Sequence, residues 1–98
     1  MNFANNITIV IVSHKSKKKL TNLIKDISNN IKIIIVETSL DKSIELELSK
    51  IGKKIKIIFS ENNGYGSAIN LARTHVATKY FFVLNPDLSL IHISEPTR

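Results

Sequence analysis

Thr8-Ile9-Val10-Ile11-Val12 is the stretch on which the fold of this 98-residue chain turns. It is a β-branched run with no polar alternation, the pattern of a strand covered on both faces, as in a parallel sheet. A helix is expected to follow. Leu20, Leu23, Ile24 and Ile27 fall at i, i+3, i+4 and i+7 and give it one apolar face, with Ser16 as a candidate cap. Ile31 to Val36 repeats the buried-strand signature. From Asp41 to Lys50 the signal is mixed: Ile44, Leu46 and Leu48 alternate like a strand, whereas Ile44, Leu48 and Ile51 fit a helix. Glu, Leu and Lys favour the helix, and Gly52 is a natural stop. Ile55 to Phe59 reads as a third strand, Ile69, Ala72 and Val76 mark a third helix, and Tyr80 to Leu84 reads as a fourth strand. The order βαβαβαβ predicts a mainly parallel α/β sheet with right-handed crossovers and helices on both faces. No internal repeat or linker interrupts it.

Composition bounds what such a chain can be. With 43% hydrophobic and 22% charged residues it is too apolar for a disordered tail and too short for two domains. A chain of this size buries only roughly 60 to 65% of its unfolded surface, so the core is thin. There is no cysteine, which excludes disulfide scaffolds and thiolate metal sites. No apolar stretch approaches the roughly 18 to 20 residues needed to cross a bilayer, and Met1 to Asn6 lacks the basic residues of a secretory signal, so the cytoplasm is the expected compartment. The net charge of +6 would suit an anionic partner. Only Arg73 and Arg98 are arginine, however, and abundant Lys, Ile and Asn are what AT-rich codons produce. The Lys17-Lys18-Lys19 run reads as a solvated face.

Leu88 to Arg98 is set apart. LSLIHISEPTR is the in-frame translation of a transposase adapter used in sequencing libraries, and eleven consecutive matches are hard to obtain by chance. Residues 88–98 are therefore expected to be an adapter-derived tail, and residues 1–87 the truncated front of a longer domain. His92 falls in the tail and is left out of any site.

In open parallel sheets ligands lie outside the carboxyl ends of the strands. The first strand here runs into Ser13-His14-Lys15-Ser16, the second into Glu37-Thr38-Ser39, the third into Ser60-Glu61-Asn62-Asn63-Gly64-Tyr65-Gly66, and the fourth into Asn85-Pro86-Asp87. A helix opening directly after Gly64 and Gly66 offers backbone N–H groups to an anion at close approach. A phosphate-bearing ligand is the expectation. The turn is not a dinucleotide fingerprint, because Ile69 replaces the third glycine and the turn follows the third strand. No Gly-Lys-Ser/Thr run exists to make a P-loop.

Taken together, Thr8 to Ser16, Val36-Glu37-Thr38-Ser39, Asn63-Gly64-Tyr65-Gly66-Ser67-Ala68-Ile69-Asn70 and Phe82-Val83-Leu84-Asn85-Pro86-Asp87 resemble the front of a family 2 glycosyltransferase with the GT-A fold, over nearly all of residues 7 to 87. The resemblance implies a partial, Rossmann-like, nucleotide-sugar-binding fold. Asn85-Pro86-Asp87 in place of the commoner Asp-x-Asp is most similar to the rhamnosyltransferase-type branch and implies a dTDP-sugar donor. By the same resemblance Ser13 and His14 line the nucleotide pocket and Glu37 bonds the base. Asn63, Gly64, Gly66 and Asn70 lie near the nucleotide and its phosphates, and Asn85 stands where a first aspartate often sits. Asp87 holds a divalent metal, Mg or Mn. A glycan or lipid-linked acceptor, cytoplasmic action at the inner face of the membrane and peripheral membrane association of the parent are also implied; nucleic acid is not.

The chemistry gives Asp87 a reason. Sugar transfer expels a nucleoside diphosphate, and a hard cation bridging carboxylate and phosphate oxygens neutralises the developing charge. An inverting transfer needs a general base, and by the same resemblance that carboxylate lies well beyond Asp87, so the fragment itself is expected to be inactive. Plainer alternatives stand beside these roles: Glu37 as a loop carboxylate or cap partner, Asp87 as a turn residue, His14 as a solvated loop histidine, and Tyr65 as cover for the turn. At the level of function, the rivals are a basic RNA-binding module and a dinucleotide-binding domain.

Overall fold

The computed structural model describes residues 6–27, 30–39, 41–52, 54–61, 64–84, 86 and 91–94, with position 65 and residues 91–94 described by their backbone. Eight elements follow in order: β1 (Ile7–Ser13), α1 (Lys17–Lys25), β2 (Lys32–Glu37), α2 (Ser43–Ser49), β3 (Ile55–Phe59), α3 (Tyr65–Arg73), β4 (Tyr80–Leu84) and β5 (Ile91–Ser94). The sheet order is β3-β2-β1-β4-β5. β1 to β4 are mutually parallel, and β5 joins β4 antiparallel. The mainly parallel α/β sheet expected from the sequence is therefore what forms. β5 is an addition to it, and it falls within residues 88–98.

The β-branched runs sort by parity. Ile7, Ile9 and Ile11 of β1 and Ile33 and Ile35 of β2 face α1 and α2, where they meet Leu20, Ile24, Ile44 and Leu48. Val10, Ile34, Val36, Phe81 and Val83 face the other way, against Ala68 and Ala72 of α3. Helices thus cover both faces, which is why β1 and β2 carry no polar alternation. α3 presents alanines to the sheet with Ile69 at the margin of the contact, and Val76, expected on this helix, packs there from the chain just beyond its end at Arg73. Small side chains let its backbone lie close to β1 and β2.

The ambiguous stretch after Asp41 resolves as helix. Ile44 and Leu48 are buried one turn apart while Leu46 is left 67% exposed, a distribution that only the helical period produces. Gly52 follows α2 with φ +75°, the left-handed conformation that lets glycine end a helix. One local expectation differs: Ser16 holds the cap position of α1 but makes no side-chain cap bond. Its hydroxyl turns back and donates to the His14 carbonyl at 3.2 Å, drawn by the sharp turn at Lys15.

β1, β2 and β3 step outward to one side, and the chain then returns so that β4 lies on β1's other flank. The reversal sets the switch in strand order between β1 and β4, and in open α/β sheets ligands lie outside the carboxyl ends at such a switch.

Candidate functional site

At the carboxyl edge the register aligns Ser13 with Glu37 and Glu37 with Phe59. By strand parity all three point to the α1/α2 face. Glu37 is 1% exposed, an expensive place for a carboxylate unless its oxygens are paired. Oε2 is well supplied: it accepts from the Lys15 N–H at 3.0 Å, the Ser39 N–H at 3.3 Å and the Ser39 hydroxyl at very short range. Oε1 and the Ser13 hydroxyl on the adjoining strand are buried and have no hydrogen-bond partner among the described residues. Two neighbouring strand ends thus each hold an unsatisfied polar atom.

Backbone bonds fix the loops that carry these side chains. The Thr38 N–H donates to the Ser13 carbonyl at 2.9 Å and the Ser60 N–H to the Glu37 carbonyl at 3.0 Å, extending the parallel ladder by one rung at each strand. The Thr38 hydroxyl lies 2.8 Å from His14 Nδ1 and donates to the Ser13 carbonyl at 3.3 Å. With the hydroxyl proton committed to that carbonyl, the Thr38 oxygen accepts from Nδ1–H, which leaves Nε2 as an acceptor on an exposed ring. Lys15, next in the chain, has φ +54°, a left-handed conformation that costs a lysine about 1–2 kcal/mol. The bond from its N–H to Glu37 holds the turn in place.

A second group of charges borders this cluster. The Lys42 ammonium stands 4.7 Å from the centroid of the Phe59 ring, and Lys17 Nζ donates to the Ser43 hydroxyl at 3.3 Å, tying α1 to α2. Asp41 accepts from the Ser43 hydroxyl at 2.7 Å and the Ser43 N–H at 3.0 Å. Those two bonds, with Lys17 and Lys15 nearby, hold its carboxyl below the ordinary carboxylate value.

Gly64 lies at the start of α3 with φ +102° and ψ 157°, a conformation essentially reserved for glycine. A Cβ built at Gly64 or at Gly66 meets nothing within 4 Å, so the space over both residues is open. Among the described residues no side chain caps this helix end. Asn70 is exposed on α3, about 9 Å along the axis from Gly64 at 1.5 Å per residue.

The structure thus brings Ser13, His14 and Glu37 together and sets Gly64 and Gly66 at an uncapped helix start. Asn63, Asn85 and Asp87 lie outside the described residues. Reading the sequence for site residues passed over Lys15 and Ser39, whose main-chain and hydroxyl donors hold Glu37. Ser39 was legible in principle, because a hydroxyl residue two positions after a carboxylate is a local bonding pattern; the Lys15 bond spans 22 positions and left no local sign.

A four-strand parallel sheet sandwiched by helices, with its polar loops gathered at the carboxyl edge, is a partial Rossmann-like GT-A fold. The sequence matches glycosyl transferase family 2 over residues 8–92, and the chain belongs to that family. Its fold is similar to the crystal structure of S. aureus TarS 1-349, with a TM-score of 0.64 at 16% identity, over 84% of this chain and 27% of that one. The likeness is one of fold, and the chain spans about a quarter of TarS 1-349. No curated protein matches the sequence. Members of the family use nucleotide-sugar donors and are generally dependent on a divalent metal. Among the described residues no three His, Asp or Glu side chains gather to hold one, and Asp87, the residue expected to do so, is outside them. Also among the described residues, no helix is long and apolar enough to cross a membrane.

Proposed function

We propose that this chain is the donor-binding part of a glycosyltransferase that moves a sugar from a nucleoside-diphosphate sugar to a glycan or lipid-linked acceptor. The observation that carries the reading is the pair of buried, unpartnered polar atoms, Ser13 Oγ and Glu37 Oε1, side by side at the carboxyl edge. A buried acceptor without a donor costs free energy, and a ligand N–H would relieve it. Both atoms are shut off from solvent, so a base reaches them by shifting the loop residues packed over them. Uracil and thymine present an N–H at N3 and suit a carboxylate oxygen, whereas cytosine presents a lone pair there and is repelled. A dTDP sugar such as dTDP-rhamnose fits this preference and the Asn85-Pro86-Asp87 sequence.

The remaining roles follow from position. His14, fixed through Nδ1 to Thr38, offers its ring to the ribose or base. Gly64 and Gly66, with the free N–H groups of α3, face the phosphates. A divalent Mg or Mn ion at Asp87, with Asn85 beside it, would offset charge on the departing diphosphate. The acceptor's general base comes from chain beyond Asp87, residues 88–98 are an adapter-derived tail, and the parent works on the cytoplasmic side at the membrane face.

Titration of the 98-residue chain with dTDP, UDP, CDP and GDP tests the base assignment. dTDP and UDP should bind measurably more tightly than CDP, and Glu37→Gln should narrow that difference. Equal affinity for all four would overturn the role given to Glu37. In the complete gene, Asp87→Ala should abolish transfer, and unchanged turnover would remove the metal from Asp87.

A further inference from the structure

The opposite edge of the sheet carries a cavity that the transferase reading does not use. It has a volume of about 310 Å³ and lies at the amino-terminal ends of β1, β2 and β3, against the loop between α3 and β4. Thr8, Ile34, Lys32, Lys54, Lys56 and His75 are among its lining residues. No Asp or Glu is among them.

The sheet register produces this concentration of charge. Ile33 pairs with Ile55 and Ile34 with Lys56, so Lys32 and Lys54, one residue earlier on each strand, lie abreast. By parity Lys32, Ile34 and Lys56 share the α3 face. Adjacent parallel strands are about 4.8 Å apart and alternate residues along a strand about 6.6 Å apart, so the three lysine stems rise from a patch smaller than their own reach. Like charges set side by side across strands destabilise a sheet. None of the three ammonium groups has a hydrogen-bond or ion-pair partner among the described residues, and all three lysines are exposed.

We propose that this cavity is an anion site that takes a multiply charged phosphate group, either free, as pyrophosphate, or carried on a lipid headgroup. Three flexible ammonium groups with His75 suit a phosphate, which lysine recognises as a point charge from any direction; no arginine is present to grip a planar carboxylate. On this face Ile34 and the aliphatic stems of the lysines supply apolar lining beside the ammonium groups. Exposed lysines on an edge strand also deter edge-to-edge pairing, and β3 is an edge. That simpler role predicts no saturable site.

Pyrophosphate titrated into the 98-residue chain at low salt and followed by amide NMR separates the two. Saturable shifts centred on Thr8, Lys32, Lys54, Lys56 and His75 are expected. Lys54→Gln with Lys56→Gln should weaken binding at these residues at least tenfold, while Lys18→Gln with Lys19→Gln, an equal loss of charge elsewhere, should leave it within twofold. Shifts at Ser13, Glu37 or Gly64 report the donor site and do not count. Vesicles containing phosphatidic acid, compared with neutral vesicles, decide the source: co-sedimentation lost in the Lys54/Lys56 variant assigns the headgroup, and pyrophosphate binding without it assigns the free anion. Shifts spread evenly over the lysines, or equal losses in both double variants, would overturn the site.

Discussion

The backbone N–H of Lys15 donates to Glu37 Oε2 at 3.0 Å, joining the turn after β1 to the last residue of β2 across 22 positions of sequence. The same oxygen holds Ser39 by two donors. One buried carboxylate thus ties together the loops that follow β1 and β2. Glu37→Ala strips three part-buried donors of their acceptor, and the net worth of such bonds is about 0.5–1.5 kcal/mol each. It should lower the urea midpoint accordingly and broaden the amide signals of Lys15 and Ser39. Glu37→Gln keeps an oxygen for the backbone donors and should lose less. Equal stability of Glu37→Ala and the parent chain would mean that the loops hold themselves.

Gly64 and Gly66 should respond to alanine in opposite ways. At Gly64 the backbone, with φ +102°, forbids a side chain although space is open, so Gly64→Ala should destabilise by about 1–3 kcal/mol. Gly66 lies in the first turn of α3 with open space around it, and Gly66→Ala should raise stability by up to about 1 kcal/mol through helix propensity. If the phosphates approach that backbone, the same change should weaken nucleoside-diphosphate binding. Thermal melts and a dTDP titration of the two variants check both halves; a Gly66→Ala protein that is more stable and binds as well as the parent would assign that glycine no ligand.

The architecture was legible because its signals are local. β-branched runs at residues 8–12 and 55–59 are strands whatever surrounds them, and Ile44 and Leu48 outvoted Leu46 once α2 had a face to bury. The candidate site was half legible. Polar residues at strand ends mark where loops converge, so Ser13, His14 and Glu37 could be named from position. Their bonding could not, because the Lys15 turn and the Thr38–His14 contact depend on register between β1 and β2. β5 was not expected because residues 88–98 were set apart as an adapter-derived tail; the open edge of β4 gives this short run a pairing partner.

Asp41 should give α2 a pH dependence. Its carboxyl is held below the ordinary value of 3.8 by the Ser43 hydroxyl, then the Ser43 N–H, with Lys17 and Lys15 adding to the effect. A lowered folded-state value means that the contribution is complete above the unfolded value and is lost as pH falls through the folded one. Asp41→Ala should therefore melt earlier than the parent at pH 5 to 7 (about neutral to mildly acidic, above the carboxylate range). The gap should close below the ordinary carboxylate value. Added salt should shrink the share owed to the lysines. A gap that stays constant down through the acid range would assign Asp41 a role independent of its charge.

Removal of residues 88–98 tests whether the tail belongs to the domain. The two core clusters described for residues 7–84 are built from β1 to β4, the helices packed on them and Ile27 just after α1. β5 contributes backbone pairing along β4 and shields that edge. The shortened chain should therefore keep its parallel sheet and its cooperative transition, with the circular dichroism of an α/β protein. It should also associate more readily, because β4 then presents an open, apolar edge to other copies. Loss of cooperative unfolding on truncation would show that residues 88–98 are integral to the fold.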